Sequence, residues 1–173
     1  MFLNIIKKFI LKNKVRRLLL NVTANQSKGI IKSVGVIFDG NYSIEIDVLV
    51  SELLKNGLEE SQINVLIFKD KSNKNDKYNY DVFTYKDINW SAEILNFKAN
   101  LFLNSNFDLL ISYHNFEKAP LVYSSYLSKA SFKVGFTTAQ DKKLNQLMIN
   151  TSPNNCQLFI DELFKYLSIL NKI

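Results

Sequence analysis

The stretch Phe107–Phe136, FDLLISYHNFEKAPLVYSSYLSKASFKVGF, constrains the fold more than any other part of the chain. Its first seven residues, Phe107 to Tyr113, are a nearly continuous apolar run, the pattern of a strand covered on both faces. Pro120 suits the first turn of a helix, where its missing N–H would find no intrahelical partner. That helix is expected to run to about Lys129, and Phe132–Phe136 then reads as the next strand. Two buried strands joined by a helix make a right-handed βαβ unit, the building block of an open parallel sheet.

The rest of the chain alternates in the same way. Ser33–Asp39 reads as the first core strand, followed by a turn at Asp39-Gly40-Asn41. A helix capped by Ser43 then buries Ile46, Leu49, Val50, Leu53 and Leu54, and Gly57 ends it in the left-handed conformation. Ile63–Phe68 is a second strand, and Val82–Tyr85 is a short third one towards an edge. Trp90 and Ser91 are expected to introduce a helix that buries Ile94, Phe97 and Leu101. After the central unit, residues 146–150 read as a last strand. Ser152-Pro153 caps a final helix with Phe159, Leu163, Tyr166, Leu167 and Leu170 at helical spacing. The expected fold is α/β: one three-layer, Rossmann-like domain with a mostly parallel sheet of five or six strands, preceded by a basic N-terminal helix. Residues 1–32 form that helix and its linker, and residues 33–173 the α/β domain.

Charge is distributed unevenly along the chain. Residues 1–33 carry eight basic side chains and no acid, whereas the remaining residues carry 14 basic and 16 acidic ones, a net charge of −2. Phe2, Ile5, Ile6 and Phe9 fall on one side of the N-terminal helix, with Lys7, Lys8 and Lys12 on the other. Lysines interrupt every apolar run, so the helix is not a membrane span, and no small-residue cleavage site follows it. Three readings are open for this arm. It packs on the domain, it docks on a protein partner or an anionic membrane surface, or it contacts RNA. Lys7, Lys8, Lys12, Lys14, Arg16 and Arg17 are the anion- or membrane-contact candidates. Cys156 is the only cysteine, which excludes a disulfide framework and a thiolate zinc cluster and fits a reducing, cytoplasmic compartment.

Open parallel sheets bind ligands beyond the carboxyl ends of their strands, where strand order reverses. The residues expected there are Asp39-Gly40-Asn41, Lys69-Asp70, His114-Asn115 and Thr137-Thr138, and the ligand-binding candidates among them are Asp39, Gly40, Asn41, His114, Asn115, Thr137 and Thr138. Each has a plainer reading, since Gly and Asn serve turns for backbone reasons and a lone histidine needs an orienting partner to act as a base. A haloacid-dehalogenase phosphatase would need a second aspartate where this chain has Asn41. Neither glycine-rich phosphate loop, GxGxxG or GxxxxGK[ST], occurs, and no His/Cys/carboxylate group has metal-ligand spacing. The reading assigns no catalytic residue, cofactor or metal.

Two resemblances add to this. Residues 107–136, from "FDLLI" through Ala130, Lys133, Gly135 and Phe136, resemble a segment in the N-terminal half of heptosyltransferase-type glycosyltransferases. Those enzymes use two Rossmann-like halves, and this chain has room for one. Over nearly its whole length the chain is also similar to an uncharacterised family of small proteins from flavobacteria and related Bacteroidota. That similarity is carried by the basic helix, "VGVIFD", "FDLLI", "SKASFKVGF" and "ELFKYLSILNKI". The functional expectation is a non-catalytic interaction or ligand-binding domain. The alternatives are a small enzyme or glycosyltransferase-like domain acting on a sugar or nucleotide, and an RNA- or membrane-associated protein.

Overall fold

The computed structural model describes residues 2–22, 29–41, 46–71, 79–114, 118–137 and 143–173, with side chains of the first helix from Ile5 onward. Six strands, β1 (Val34–Asp39), β2 (Ile63–Lys69), β3 (Asp81–Thr84), β4 (Leu109–Tyr113), β5 (Phe132–Phe136) and β6 (Leu147–Ile149), form one sheet. Their order is β3-β2-β1-β4-β5-β6, and every pairing is parallel. The order reverses between β1 and β4, the two central strands, and both are buried along their whole length. The Rossmann-like expectation is met, with all six strands parallel.

Helices cover both faces. On one side α2 (Ile46–Lys55) and α5 (Cys156–Ile169) bury Leu49, Leu53, Phe159 and Leu163 against Val36, Phe38, Ile111, Tyr113 and Phe136. On the other side lie α1 (Phe2–Leu20), α3 (Phe97–Asn104) and α4 (Ala119–Leu127). There Leu11, Val15, Phe102, Leu103, Leu121 and Val122 pack over Ile37, Leu66, Phe68 and Leu110.

Asp108 interrupts an otherwise apolar run for a reason. Its Oδ2 accepts from the Lys32 N–H at 3.0 Å, the Ser33 N–H at 3.0 Å and the Ser33 hydroxyl at 2.9 Å. The carboxylate thereby ties the entrance of β1 to the entrance of β4. Gly35 in β1 leaves room for Phe107, since a Cβ there would stand 2.6 Å from its ring.

Three sequence expectations are corrected. The helix expected from Trp90 starts at Phe97, with the Asn96 side chain accepting from the Ala99 N–H at 3.0 Å. Before it come a short 3-10 turn at Tyr85–Asp87 and an antiparallel Ile88–Ile94 bridge. Phe97 and Leu101 are exposed, and Ala99, Phe102 and Leu103 are buried instead. Both sets have helical spacing, so periodicity alone does not choose between them. In α5, Asn155 rather than Ser152-Pro153 caps the helix, accepting from the Leu158 N–H at 3.2 Å. Tyr166 and Leu170 on that helix are exposed, as is Leu54 on α2.

The third correction concerns α1. Ile5 and Phe9 are 60% and 64% exposed, and the packed face is Leu11 and Val15. The helix is apolar on two opposite sides, which is why its sequence shows no single stripe. The Lys7 ammonium donates to the Ile88 carbonyl at 2.7 Å, and Lys14 donates to Ser91 and Ala92 carbonyls at 3.1 and 3.0 Å.

Gly35→Ala is expected to destabilise the fold by about 1–3 kcal/mol, because buried Phe107 has nowhere to move. A shifted urea midpoint at unchanged slope is the measurement that checks it.

Candidate functional site

The carboxyl end of β1 delivers Asp39 to the point where strand order reverses. Gly40 follows without a side chain because a Cβ would stand 2.6 Å from the Ile67 methyl group, and its N–H donates to the Phe68 carbonyl at 2.9 Å. This close approach lets the chain turn immediately, so the Asn41 N–H and side-chain amide donate to Asp39 Oδ1 at 3.1 and 2.6 Å. The Asn41 side-chain oxygen Oδ1 in turn accepts from the Asp70 backbone N–H, just past β2, at 3.3 Å.

Lys118, the residue that precedes α4, completes the group. Its ammonium lies 3.0 Å from Asp39 Oδ2, 3.1 Å from Asp39 Oδ1 and 3.5 Å from Asp70 Oδ2. Asp39 is almost wholly enclosed, with 4% of its side chain exposed, whereas Lys118 is 27% and Asp70 46% exposed. The site is thus graded, with a buried carboxylate at its base, a bracketed cation above it and an accessible carboxylate at its rim. Tyr85 stands close by, its phenol pushed up to about 12 by burial first and then by the charges of Asp70 and Asp39. It stays protonated and can donate. The Lys8 ammonium sits 4.4 Å from the centre of the Tyr85 ring, so α1 reaches the same corner of the molecule.

The other sequence candidates go to different places. His114 is 1% exposed, and its Nε2 is 3.2 Å from the Ser125 hydroxyl of α4, which lies 2.9 Å from Ser112. This polar chain runs under α4, with the ring enclosed rather than open to the edge. Thr137 is exposed, and its N–H donates to the Ile149 carbonyl at 3.2 Å. Asn115 and Thr138 lie outside the described residues. Cys156 is buried, and burial raises its thiol pKa, which keeps it an unreactive apolar filler. Among the described residues no group of three or more His, Cys, Asp or Glu side chains is placed to hold a metal ion.

Sequence reasoning missed Lys118 and Tyr85 as site residues. A signal for Lys118 was present, since a cation immediately before a helix faces the positive end of its dipole and is unfavourable there without a nearby anion. Tyr85 offered none beyond its place at a strand end.

Lys118→Met is expected to cost about 1–3 kcal/mol, because it leaves the Asp39 charge enclosed with Asn41 alone. The double variant Asp39→Asn/Lys118→Met is expected to recover part of that loss. Chemical denaturation of the two single variants and the double variant checks the coupling.

In comparison with known proteins, a family model matches residues 7–170, that of a family of unknown function (DUF6913). No curated protein and no solved structure matches the chain.

Proposed function

We propose, for a chain that belongs to DUF6913, a family of unknown function, the role of a non-catalytic ligand-binding domain with its site at the carboxyl edge of the sheet. One observation carries this reading. Asp39, Asp70 and Lys118 come from three separate segments and converge where β1 and β4 diverge. Their net charge is −1, and the accessible group is a carboxylate. The arrangement suits a small polar ligand with hydroxyl or amino donors for Asp70, assisted by the neutral Tyr85 phenol. Both Asp39 oxygens already accept hydrogen bonds, so it acts as a fixed negative base to the site rather than a free proton acceptor.

The rival reading is a small enzyme acting on a sugar or nucleotide at the same edge, in keeping with the glycosyltransferase-like segment 107–136. A thermal-shift screen with sugars, nucleosides, nucleotide sugars and amines tests both. A binder present at a hundred times its Kd should stabilise the wild type by roughly 2.7 kcal/mol. Asp70→Asn, at the exposed rim, is expected to abolish that shift and leave the unliganded Tm nearly unchanged. A shift equal in wild type and variant would place the ligand elsewhere, and turnover of the hit would favour the enzyme.

A second reading rests on the outer face of α1. Ile5, Phe9 and Leu20 are exposed there beside exposed Arg16 and Arg17, on an arm with no acid before residue 34. Apolar side chains among cations suit an anionic membrane surface, at ~1 kcal/mol per basic residue near the headgroups. Intact protein is expected to sediment with phosphatidylserine vesicles and not with phosphatidylcholine vesicles. Ile5→Ser/Phe9→Ser should lose that binding with little change in Tm, because neither side chain is packed. Retained binding in the variant would point to charge alone and favour RNA.

A further inference from the structure

A second polar site lies on the same face of the sheet but at the opposite end of α4. Lys133, the second residue of β5, reaches under the last turn of α4, where its ammonium donates to the Ser125 carbonyl at 2.6 Å and the Ser128 carbonyl at 2.7 Å. It has no carboxylate partner among the described residues. A pocket of about 250 Å³ opens beside it. Its lining includes Lys133, Lys129, Tyr126, Ser128, Asn21 and Gln146, and no acidic side chain among the described residues.

The donors in this pocket are not used up. An ammonium has three N–H groups, and Lys133 spends two of them. The Lys129 ammonium, the Tyr126 hydroxyl and the Asn21 carboxamide have no hydrogen-bond partner among the described residues. The Ser128 hydroxyl oxygen accepts from the Ala130 N–H at 3.3 Å, which leaves its own proton to give. Gln146 uses its side-chain carbonyl oxygen on the Lys133 backbone N–H at 2.6 Å, which leaves its amide NH₂ as a further donor. Two cations and four neutral donors, drawn from the end of α1, the end of α4, β5 and the approach to β6, surround one small volume.

We propose that this pocket is a binding site for a small tetrahedral or planar oxyanion, a phosphate or carboxylate group, held by Lys133 and Lys129. The oxyanion supplies the counter-charge that the protein withholds from Lys133, and its several lone pairs match the excess of donors. Burial, with no anion nearby, pushes the Lys133 ammonium down to about 8. An oxyanion at the third N–H reverses that shift. Binding therefore takes up a proton at alkaline pH, and affinity falls as pH rises through about 8. The site is independent of Asp39, Lys118 and Asp70 at the carboxyl edge.

Sulfate is the probe of choice, because its own charge is constant from neutral to alkaline pH. Isothermal titration of the full chain with sodium sulfate, at constant ionic strength, is expected to show saturable binding at neutral pH. Lys133→Met should weaken it about tenfold or more. Lys129→Glu, a change at an exposed residue outside α4, should do the same while keeping the fold. The wild-type affinity should decline through about pH 8, with proton uptake detected by comparing buffers of different ionisation heat. Parallel titrations with inorganic phosphate and with acetate then separate the two oxyanion sources. Absence of saturable sulfate binding by the wild type, or equal binding by wild type and Lys129→Glu, overturns the proposal. So does an affinity that is flat across that pH range.

Discussion

The pairing of β1 with β4 is the constraint on which the rest of the molecule depends. It is the one junction in the sheet where strand order reverses, and every other strand is added outward from it. A carboxylate fastens each end. Asp108 ties the entrance through Ser33 and Lys32, and Asp39 ties the exit through Lys118. Two parallel strands that are apolar along their length have little in their side chains to fix register, because a slip exchanges one hydrophobic contact for another. A buried charge with directional partners does not tolerate that slip. The clasp at the entrance is structural throughout. The clasp at the exit ties β1 to the start of α4 and also opens, through Asp70, onto solvent.

The two faces of the sheet are unlike. The face beneath α2 and α5 is sealed by apolar and aromatic side chains, with Tyr113, Phe136 and Phe159 in mutual edge or tilted contact at centroid distances of 4.7–5.1 Å. In β1, β4 and β5 the polar side chains alternate onto the other face, where Asp39, Ser112 and Lys133 lie. His114 continues that face through its contact with Ser125. Asn145 joins it against Gly135, where an added Cβ would stand 2.6 Å from the carboxamide, and its side-chain N and O find no hydrogen-bond partner among the described residues. A sheet whose polar residues serve only solubility would carry them at its edges. Here Asp39 and Ser112 come from the two central strands and share one face with Lys133 of β5.

The fold was legible because its signal is redundant. Val34–Asp39 and Phe107–Tyr113 are apolar runs too short for helices, and the proline and glycine punctuation around them agrees with that reading. Helix phase was less legible wherever both sides of a helix are apolar, as at Phe97–Leu103 and in α1, since only tertiary packing decides which side is buried. The site was legible in part. Asp39, Gly40 and Asn41 follow from topology, because the carboxyl end of a central strand is a place the sequence can name. Lys118 left only the weak signal of a cation before a helix, and Lys133 was hidden, since each takes its meaning from a group that is distant in sequence or is a bare backbone carbonyl.

Helix α4 connects these points. Its amino end points its dipole's positive pole at Lys118, an unfavourable neighbour that stays in place because Asp39 outweighs the dipole at 3.0 Å. Its carboxyl end points unpaired carbonyls at Lys133, a favourable neighbour that needs no acid to hold it. The same helix therefore holds one lysine by a side-chain anion and the other by backbone carbonyls. Only the second leaves a formal positive charge uncompensated inside the fold. Between them Ser124 bonds back within the helix to the Pro120 carbonyl at 2.8 Å, and Ser125 reaches across to Ser112 and His114, a polar contact amid the apolar packing of Leu121 and Val122. The two lysine sites are therefore framed by one helix, although they share no residue.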